Sequence, residues 1–141
     1  MMTLSCVSCS KPVEIDLKAL GTEISAGNLF LDELIKLEDK VVQNRVGLDL
    51  TLIKSGEFWM GTGVTGEEYG LFECNSEADA KKIAEQLETH RKDLYDTYAS
   101  YAPDALPRIE NAIIRQGGVY VVYISANEYQ KAADIVDKAF K

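Results

Sequence analysis

The sequence predicts a single α+β domain. We expect an antiparallel sheet of about four strands with helices packed on one face, its elements following one another in ββα-ββα order. Short N-terminal helices are expected to precede the sheet. The sheet is predicted by two pairs of β-prone runs, each joined by a glycine-rich turn. The helices are predicted by an amphipathic segment after each pair. The domain is expected to span residues 13–141, and its halves share no residue-level repeat.

Two short helices are predicted before the sheet. The first begins after Asp16, an N-cap residue, and stops at Gly27-Asn28. Its apolar face consists of Leu17, Leu20 and Ile24. The second runs from about Asp39 to Val46 and stops at Gly47. Between them, residues 29–37 are apolar, but their pattern does not distinguish a strand from a helix.

The centre of the chain predicts a first hairpin. Residues 57–60 are β-prone, Gly61 to Gly66 form a glycine-rich turn, and Glu68 to Cys74 form the second strand. A further strand is expected at Leu50 to Lys54, before a turn at Ser55-Gly56.

A long helix is predicted after this hairpin. Ser76 can cap its N-terminus, Asp79 stands at the spacing of a capping box, and Ala102-Pro103 ends it. Its apolar stripe consists of Ala80, Ile83, Leu87, His90, Leu94 and Tyr101.

A second hairpin and a last helix complete the prediction. Residues 108–115 and 119–125 form the strands, and the second strand is apolar on both faces, which is typical of a central strand. The last helix starts at Asn127, where Gln130 completes a capping box. The sheet is expected to contain Phe58 to Met60, Tyr69 to Phe72, Ile109 to Ile114 and Val119 to Ile124.

Composition and charge exclude two classes of partner. The 141 residues carry a formal net charge of −8, whereas nucleic-acid phosphates are bound by surfaces rich in lysine and arginine. Electrostatic adhesion to anionic lipid needs the same basic residues. No stretch approaches the roughly 18 apolar residues of a membrane-spanning helix. We therefore expect no nucleic acid as a partner, and contact with a membrane only through a lipid anchor.

The segment Gly61–Gly66 matches the G-x-G-x-x-G pattern of dinucleotide sites. In those sites the glycines let the backbone approach a pyrophosphate held at a helix N-terminus. Here the following residues predict a strand, and the acidic pair Glu67-Glu68 stands where a phosphate would lie. The segment is therefore predicted to be a hairpin turn, and a helix beginning at Gly66 would restore the nucleotide site.

Three cysteines and one histidine are the candidates for reactive chemistry. Cys6 and Cys9 have CxxC spacing but precede every predicted element, whereas a redox CxxC opens a helix after a strand. A zinc site would need Cys74 and His90 to join them, and that spacing fits no common zinc module. His90 lies on an apolar stripe, which favours a packed, hydrogen-bonded residue over a catalyst.

The sequence therefore predicts no cofactor, no metal, and no hydrolase or redox active site. The physical reason is scarcity, because one histidine, no nucleophile motif and no paired acids are available. The alternative is a small enzyme or metal-binding protein that uses Cys74, His90 and nearby carboxylates.

A candidate surface for a ligand or partner combines the glycine turn with tyrosines of the long helix. Tyrosines can line a groove or an interface, although they more often cover the edge of a core. Acidic residues such as Glu67, Glu68, Asp134 and Asp137 are expected on solvated faces, since their spacing matches neither a calcium loop nor an acid–base pair. The candidate surface consists of Thr62, Thr65, Glu67, Glu68, Tyr95 and Tyr98.

Residues 1–12 are expected to be a tether rather than part of the fold. They lack an amphipathic period and resemble the tail of a signal peptide, with its charged start and apolar middle missing. Cys9 follows the small residues Val7-Ser8 and precedes a short polar spacer, so it is the predicted site of lipidation. Cys6, which also follows a serine, is the alternative.

Four segments in a fixed order, between Ile15 and Phe140, carry a resemblance to a known family. They are Ile15-Asp16-Leu17; Leu37 to Lys40 leading to Val46-Gly47-Leu48; Gly61 to Glu68 running into Leu71-Phe72-Glu73 and Ala78-Asp79-Ala80; and Pro107 to Ala112 followed by Gly117-Gly118 and Tyr120-Val121. In this order they resemble uncharacterised lipoproteins, mostly from Gram-positive bacteria, that form domain of unknown function 4358.

The resemblance implies export and lipid anchoring at the extracytoplasmic face of a bacterial membrane. It implies no activity, because none is assigned to that family. We therefore expect a non-catalytic domain that binds an unknown protein or small-molecule ligand, or that scaffolds a neighbour.

Overall fold

The computed structural model describes residues 12–141, so the predicted lipidation residues Cys9 and Cys6 lie outside the described part of the chain. The helices are α1 (Leu17–Ala26), α2 (Asp39–Val41), α3 (Glu77–Tyr101), α4 (Leu106–Glu110) and α5 (Tyr129–Ala139). The strands are β1 (Ile35–Lys36), β2 (Ile53–Met60), β3 (Glu68–Cys74), β4 (Ile113–Gly117) and β5 (Tyr120–Ser125). A π-helical turn at Val42–Val46 continues α2. None of these helices is both long enough and apolar enough to cross a bilayer.

All strand pairs of the described sheet are antiparallel, in the order β1-β2-β3-β5-β4. The predicted α+β class with an antiparallel sheet is confirmed. The sheet has five strands rather than about four. The additional strand, β1, pairs Ile35 with Met60 and Lys36 with Trp59. It comes from residues 29–37, where the apolar pattern did not distinguish a strand from a helix.

Helices cover both faces of the sheet, so the prediction that they pack on one face is wrong. Helix α3 packs Ile83 and Leu87 against Phe72 and Val121 on one face, whereas α1 and α5 cover the other. The core of that second face contains Leu20, Ile24, Tyr69, Leu71, Val122, Ile124, Ala132 and Val136. The reason lies in β5, whose successive side chains point to opposite faces and are nearly all buried. A strand that is apolar on both faces needs a covering layer on each.

The predicted ends of the N-terminal helices are confirmed. Asp16 caps α1 by accepting a hydrogen bond from a backbone N–H at 3.0 Å. Gly27 closes the helix, and Asn28 follows with a φ of 52°, in the left-handed region that asparagine tolerates. The second helical segment ends at Gly47, which has a φ of 80°.

Helix α3 begins as predicted, with the Ser76 hydroxyl accepting a hydrogen bond from the Asp79 N–H at 3.1 Å. The predicted stripe is buried at its centre, where Leu87 is inaccessible. Tyr101 departs from it because it is 59% exposed, and Tyr98 is buried instead. Leu87 and Tyr98 lie about three full helical turns apart, so both side chains point to the buried face. A seven-residue spacing falls about 20° short of two full turns, so the predicted stripe moves gradually away from that face towards Tyr101.

The second hairpin is shorter than predicted, because β4 begins at Ile113 rather than at Arg108. The preceding residues form α4, in which Pro107 occupies the first turn, where its missing N–H breaks no helical hydrogen bond. Ile109 was expected in the sheet but is fully buried in a separate small cluster with Tyr98.

Tertiary contacts override two further local patterns. Ser55-Gly56 lies inside β2 rather than in a turn, and a Cβ on the glycine would stand 2.4 Å from the Phe72 ring. Helix α5 starts later than predicted and lacks the capping box with Gln130. The N–H of Asn127 donates instead to the carboxylate of Glu67, at 2.9 Å.

We expect both faces of the sheet to contribute to stability. Ile24 in α1 and Ile83 in α3 are fully buried on opposite faces, so either isoleucine-to-alanine variant should lower the free energy of unfolding by about 2–5 kcal/mol. Urea unfolding followed by circular dichroism measures this change. The controls Glu23→Ala and Glu85→Ala lie on the exposed sides of the same helices and should stay within about 0.5 kcal/mol of the wild type. If the free energy of unfolding of Ile24→Ala were as close to the wild type as that of the controls, it would contradict the core on the face covered by α1 and α5.

Candidate functional site

Most of the predicted candidate surface lies around one cavity, at the end of the sheet where β2 turns into β3. The cavity has a volume of about 320 Å³ and lies beside the loop Gly61–Gly66; we call it the glycine-loop cavity. Strand β3 contributes Glu68 and helix α3 contributes His90, both buried. The exposed residues at its mouth include Arg45, Thr62 and Thr97.

The loop Gly61–Gly66 is the hairpin connection that the sequence predicts, and strand β3 rather than a helix follows it. Asp32 closes the loop, because its carboxylate accepts hydrogen bonds from the N–H and hydroxyl of Thr62, both at 2.7 Å, and from the Thr65 hydroxyl at 3.3 Å. Burial alone would raise the pKa of Asp32, but these bonds and one from the Glu33 N–H lower it below 3.8. A protein carboxylate thus occupies loop donors that a nucleotide phosphate would need.

Glu67 is a buried carboxylate, so the expectation that it lies on a solvated face is wrong. It is 2% exposed and accepts hydrogen bonds from the backbone N–H groups of Leu31, Asp32 and Asn127, each at 2.9 Å. These donors offset the cost of burying the charge. They come from distant parts of the chain, so no local pattern indicated them.

Glu68 is also 2% exposed, which again contradicts the predicted solvated face. Its Oε1 accepts a hydrogen bond from the Tyr123 hydroxyl at 2.6 Å and lies 2.5 Å from His90 Nε2. Because an ionised carboxylate only accepts hydrogen bonds, Nε2 is the donor. Oε2 accepts no hydrogen bond from residues 12–141. Glu68 is one of the residues that line the glycine-loop cavity.

Aromatic rings fix the orientation of His90. The imidazole meets the rings of Phe58 and Tyr123 edge-on, with centroid separations of 6.1 Å in both pairs. Burial raises the pKa of Tyr123 well above 10.0, and the charge of Glu68 raises it further. The Tyr123 hydroxyl therefore remains a protonated donor, and Glu68 Oε1 is held from two sides.

Two tyrosines near the end of α3 and a serine of β5 hold the glycine loop. The Tyr101 hydroxyl donates to the Gly63 carbonyl, and its ring packs against Tyr98 with a centroid separation of 5.1 Å. Burial raises the pKa of Tyr98 to about 12. The Ser125 hydroxyl donates to the Gly66 carbonyl at 2.8 Å. The loop is therefore tied to α3 and β5 as well as to Asp32.

Residues 30–126 match the family described as Domain of unknown function (DUF4358), and this match covers more than half of the chain. The protein belongs to the DUF4358 family. The matched segment contains the residues that form the glycine-loop cavity, whereas α1 and α5 lie outside it. Neither a curated protein nor a solved structure matches the chain significantly.

In this DUF4358 domain Cys74 does not belong to the cavity. It lies at the opposite end of β3 from Glu68, which places the two about 20 Å apart along the strand. Burial raises the pKa of the Cys74 thiol to about 11, which keeps it protonated and weakly nucleophilic. Within residues 12–141, no group of three or more His, Cys, Asp or Glu side chains could hold a metal ion. The alternative hypothesis of a small enzyme or metal-binding protein used Cys74, His90 and nearby carboxylates. Of these, only His90 and the carboxylate of Glu68 are in contact.

Four of the six candidate-surface residues line the cavity, namely Thr62, Glu67, Glu68 and Tyr98. Thr65 lies in the loop and binds Asp32, whereas Tyr95 packs into the separate cluster around Ile109.

Several residues of the DUF4358 site were missed in the sequence, namely Asp32, Arg45, Thr97 and Tyr123. Tyr123 did carry an indication, because a tyrosine in a buried central strand needs a partner for its hydroxyl. Asp32 lies in the segment whose pattern was ambiguous, and Arg45 and Thr97 are exposed residues of predicted helices. Only the tertiary structure brings these three to the loop.

We expect an absorbance titration to separate the buried tyrosines from the rest of the seven. Burial raises the pKa values of Tyr69, Tyr98 and Tyr123, so these should ionise late in the folded protein, whereas all seven should titrate together in urea. Because the folded pKa values lie above the unfolded ones, their contribution to stability is present below about pH 10 and is lost as the pH rises further.

The variant Tyr123→Phe should remove one late-ionising group from that titration. It should also lower the free energy of unfolding by about 1.5–3 kcal/mol, since Glu68 Oε1 loses a donor. Loss of an early-ionising group instead would contradict the buried Tyr123–Glu68 contact.

Proposed function

We propose that this protein is an exported, lipid-anchored domain at the extracytoplasmic face of a Gram-positive bacterial membrane, where it binds a protein or small-molecule ligand without catalysis. The residues around Cys9 support the anchor, since small residues precede it and a polar spacer follows. A formal net charge of −8 gives no attraction to anionic lipid. Two acyl chains, at about 0.8 kcal/mol per buried CH₂, would give stable attachment.

We place the ligand in the glycine-loop cavity. The observation that carries this proposal is the buried carboxylate of Glu68, which lines the cavity and of which one oxygen is held by His90 and Tyr123 while the other accepts no hydrogen bond from residues 12–141. Burying such a pair generally gives no more stability than well-packed apolar side chains of similar volume. The anchored loop and the packed tyrosines supply preformed walls, as in other small-molecule sites. A volume of about 320 Å³ suits a small ligand.

The contact between His90 and Glu68 favours a second candidate function, a small enzyme in which the carboxylate orients the histidine as a general base. Such a pair is one half of the arrangement that acyl-transfer enzymes use. The other half is not formed, because no serine or cysteine in residues 12–141 hydrogen-bonds to His90. Hydrolysis of model esters or phosphoesters that is lost in His90→Gln would favour the enzyme over the binding domain.

We expect lipid on Cys9 when the gene is expressed in a Gram-positive host with its native upstream region. The protein should fractionate with membranes, and its N-terminal peptide should carry the mass of a diacylglycerol thioether. Cys9→Ser should release the protein from the membrane, because the thiol is the site of attachment. Cys6→Ser is the matched control and should remain anchored.

Two results would revise this proposal to different degrees. A soluble wild-type protein without lipid on its N-terminal peptide would refute the anchor. Lipid that depends on Cys6 rather than Cys9 would change only the attachment residue.

We expect the cavity to account for ligand binding, and a bulky residue at its mouth should block it. Thr97 lines the cavity from α3, so Thr97→Phe should abolish the thermal shifts that small-molecule hits cause in the wild type. A ligand at a hundredfold excess over its Kd stabilises by about 2.7 kcal/mol, which corresponds to several degrees.

Thr89→Phe is the matched control for this substitution. Thr89 is also exposed on α3 and also bonds the carbonyl four residues earlier, but it does not line the cavity. Hits should therefore persist in Thr89→Phe. If they also persist in Thr97→Phe, the glycine-loop cavity is not the binding site.

A further inference from the structure

We infer, building on the proposed function, that the glycine-loop cavity binds a small zwitterion, with the ligand's ammonium group at Glu68 and its acidic group at Arg45. Within residues 12–141, the lining of the cavity includes one carboxylate with an unused oxygen, from the buried Glu68, and one arginine, at the mouth. The inference rests on the separation of these opposite charges within a space that fits a molecule of amino-acid size.

The base of the cavity provides the site for a cation. Glu68 is buried, and its Oε2 accepts no hydrogen bond from residues 12–141. Glu67 also lines the cavity, but three backbone N–H groups already bind its carboxylate. Of these two carboxylates, Glu68 therefore has the capacity for a further donor, and an ammonium group supplies one through a charge-assisted hydrogen bond.

The mouth of the cavity provides the site for an anion. Arg45 is exposed at the end of the π-helical turn and forms no ion pair with another described residue. Its guanidinium has the planar set of donors that matches a carboxylate or a phosphate. Among residues 12–141, no lysine and no other arginine lines the cavity, so the anionic end of a ligand has one partner in this part of the chain.

The walls between these two ends suit a short carbon chain. Met60 and Leu94 contribute apolar surface, and the exposed residues Thr62 and Thr97 also line the cavity. A volume of about 320 Å³ is at the lower end of the range for small-molecule sites. This combination favours an ω-amino acid or an α-amino acid with a small side chain over a larger peptide.

Calorimetric titration of the full chain with a series of probes tests the inference. The zwitterions are glycine, β-alanine, 4-aminobutyrate and 5-aminopentanoate, which place the same two charges at increasing separation. Butylamine and butyrate each carry one of the two charges of 4-aminobutyrate. We expect at least one zwitterion to bind about three- to fivefold more tightly than butylamine, which lacks the acidic group for the exposed Arg45. The same zwitterion should bind at least tenfold more tightly than butyrate, which lacks the ammonium group for Glu68.

Three variants assign the two ends of the ligand. Glu68→Gln should weaken zwitterions and butylamine alike by about tenfold or more. Arg45→Gln should weaken zwitterions and butyrate by about three- to fivefold, since exposed ion pairs contribute little, and should leave butylamine unchanged. Lys40→Gln, at an exposed lysine that does not line the cavity, should change neither. If Glu68→Gln does not fold, amide shifts of Gly63, Glu68 and Thr97 in the wild type, measured by NMR, should still respond to the tightest zwitterion.

The outcomes separate this inference from the proposed function. Butylamine binding as tightly as every zwitterion, or full affinity in Arg45→Gln, would overturn the zwitterion. A failure of all four zwitterions at millimolar concentration, while other hits remain sensitive to Thr97→Phe, would also overturn it but would leave the cavity as a ligand site. If no compound binds in a way that depends on Thr97, both proposals fail.

Discussion

The carboxylate of Glu67 joins three separate parts of the chain, and the shape of the candidate site depends on it. It accepts backbone hydrogen bonds from the Leu31-Asp32 segment before β1 and from Asn127 before α5. With its backbone fixed in this way, Asp32 turns its own carboxylate onto Thr62 and Thr65. One buried acid therefore positions a second acid, and the second gives the glycine loop its conformation.

The adjacent acids Glu67 and Glu68 have different environments because successive side chains point to opposite sides where the chain enters strand β3. Glu67 points towards the loop segments on the α1 and α5 side, where all its hydrogen bonds come from backbone N–H groups. Glu68 points to the α3 side, where its partners are two ionisable side chains, His90 and Tyr123. Backbone donors are fixed by the course of the chain, whereas side-chain donors can rotate away. The first carboxylate is thus suited to a structural role and the second to an exchangeable one.

Local chemistry explains which parts of the fold were predictable. The caps at Asp16 and Ser76 and the glycine turn act within a few residues, so their patterns are visible in the sequence. The apolar strand β5 correctly indicated a central position, and the same observation should have indicated cover on both faces. The site was harder to predict from the sequence, because His90 and Tyr123 lie 22 and 55 residues away from Glu68 in the chain. An acidic pair bonded in this way looks like an exposed one until the fold is known.

The two-sided cover of the sheet has a consequence for how this family is handled in the laboratory. The segment shared with the family includes the whole sheet but neither α1 nor α5, which cover one of its faces. A protein cut at those limits would present Leu71, Val122 and Ile124 to water as one continuous apolar sheet surface. Boundaries set by sequence likeness are therefore not boundaries of the folding unit. A fragment expressed with those boundaries would aggregate through the exposed sheet face. Its failure to fold would therefore not show that the intact protein is unstable.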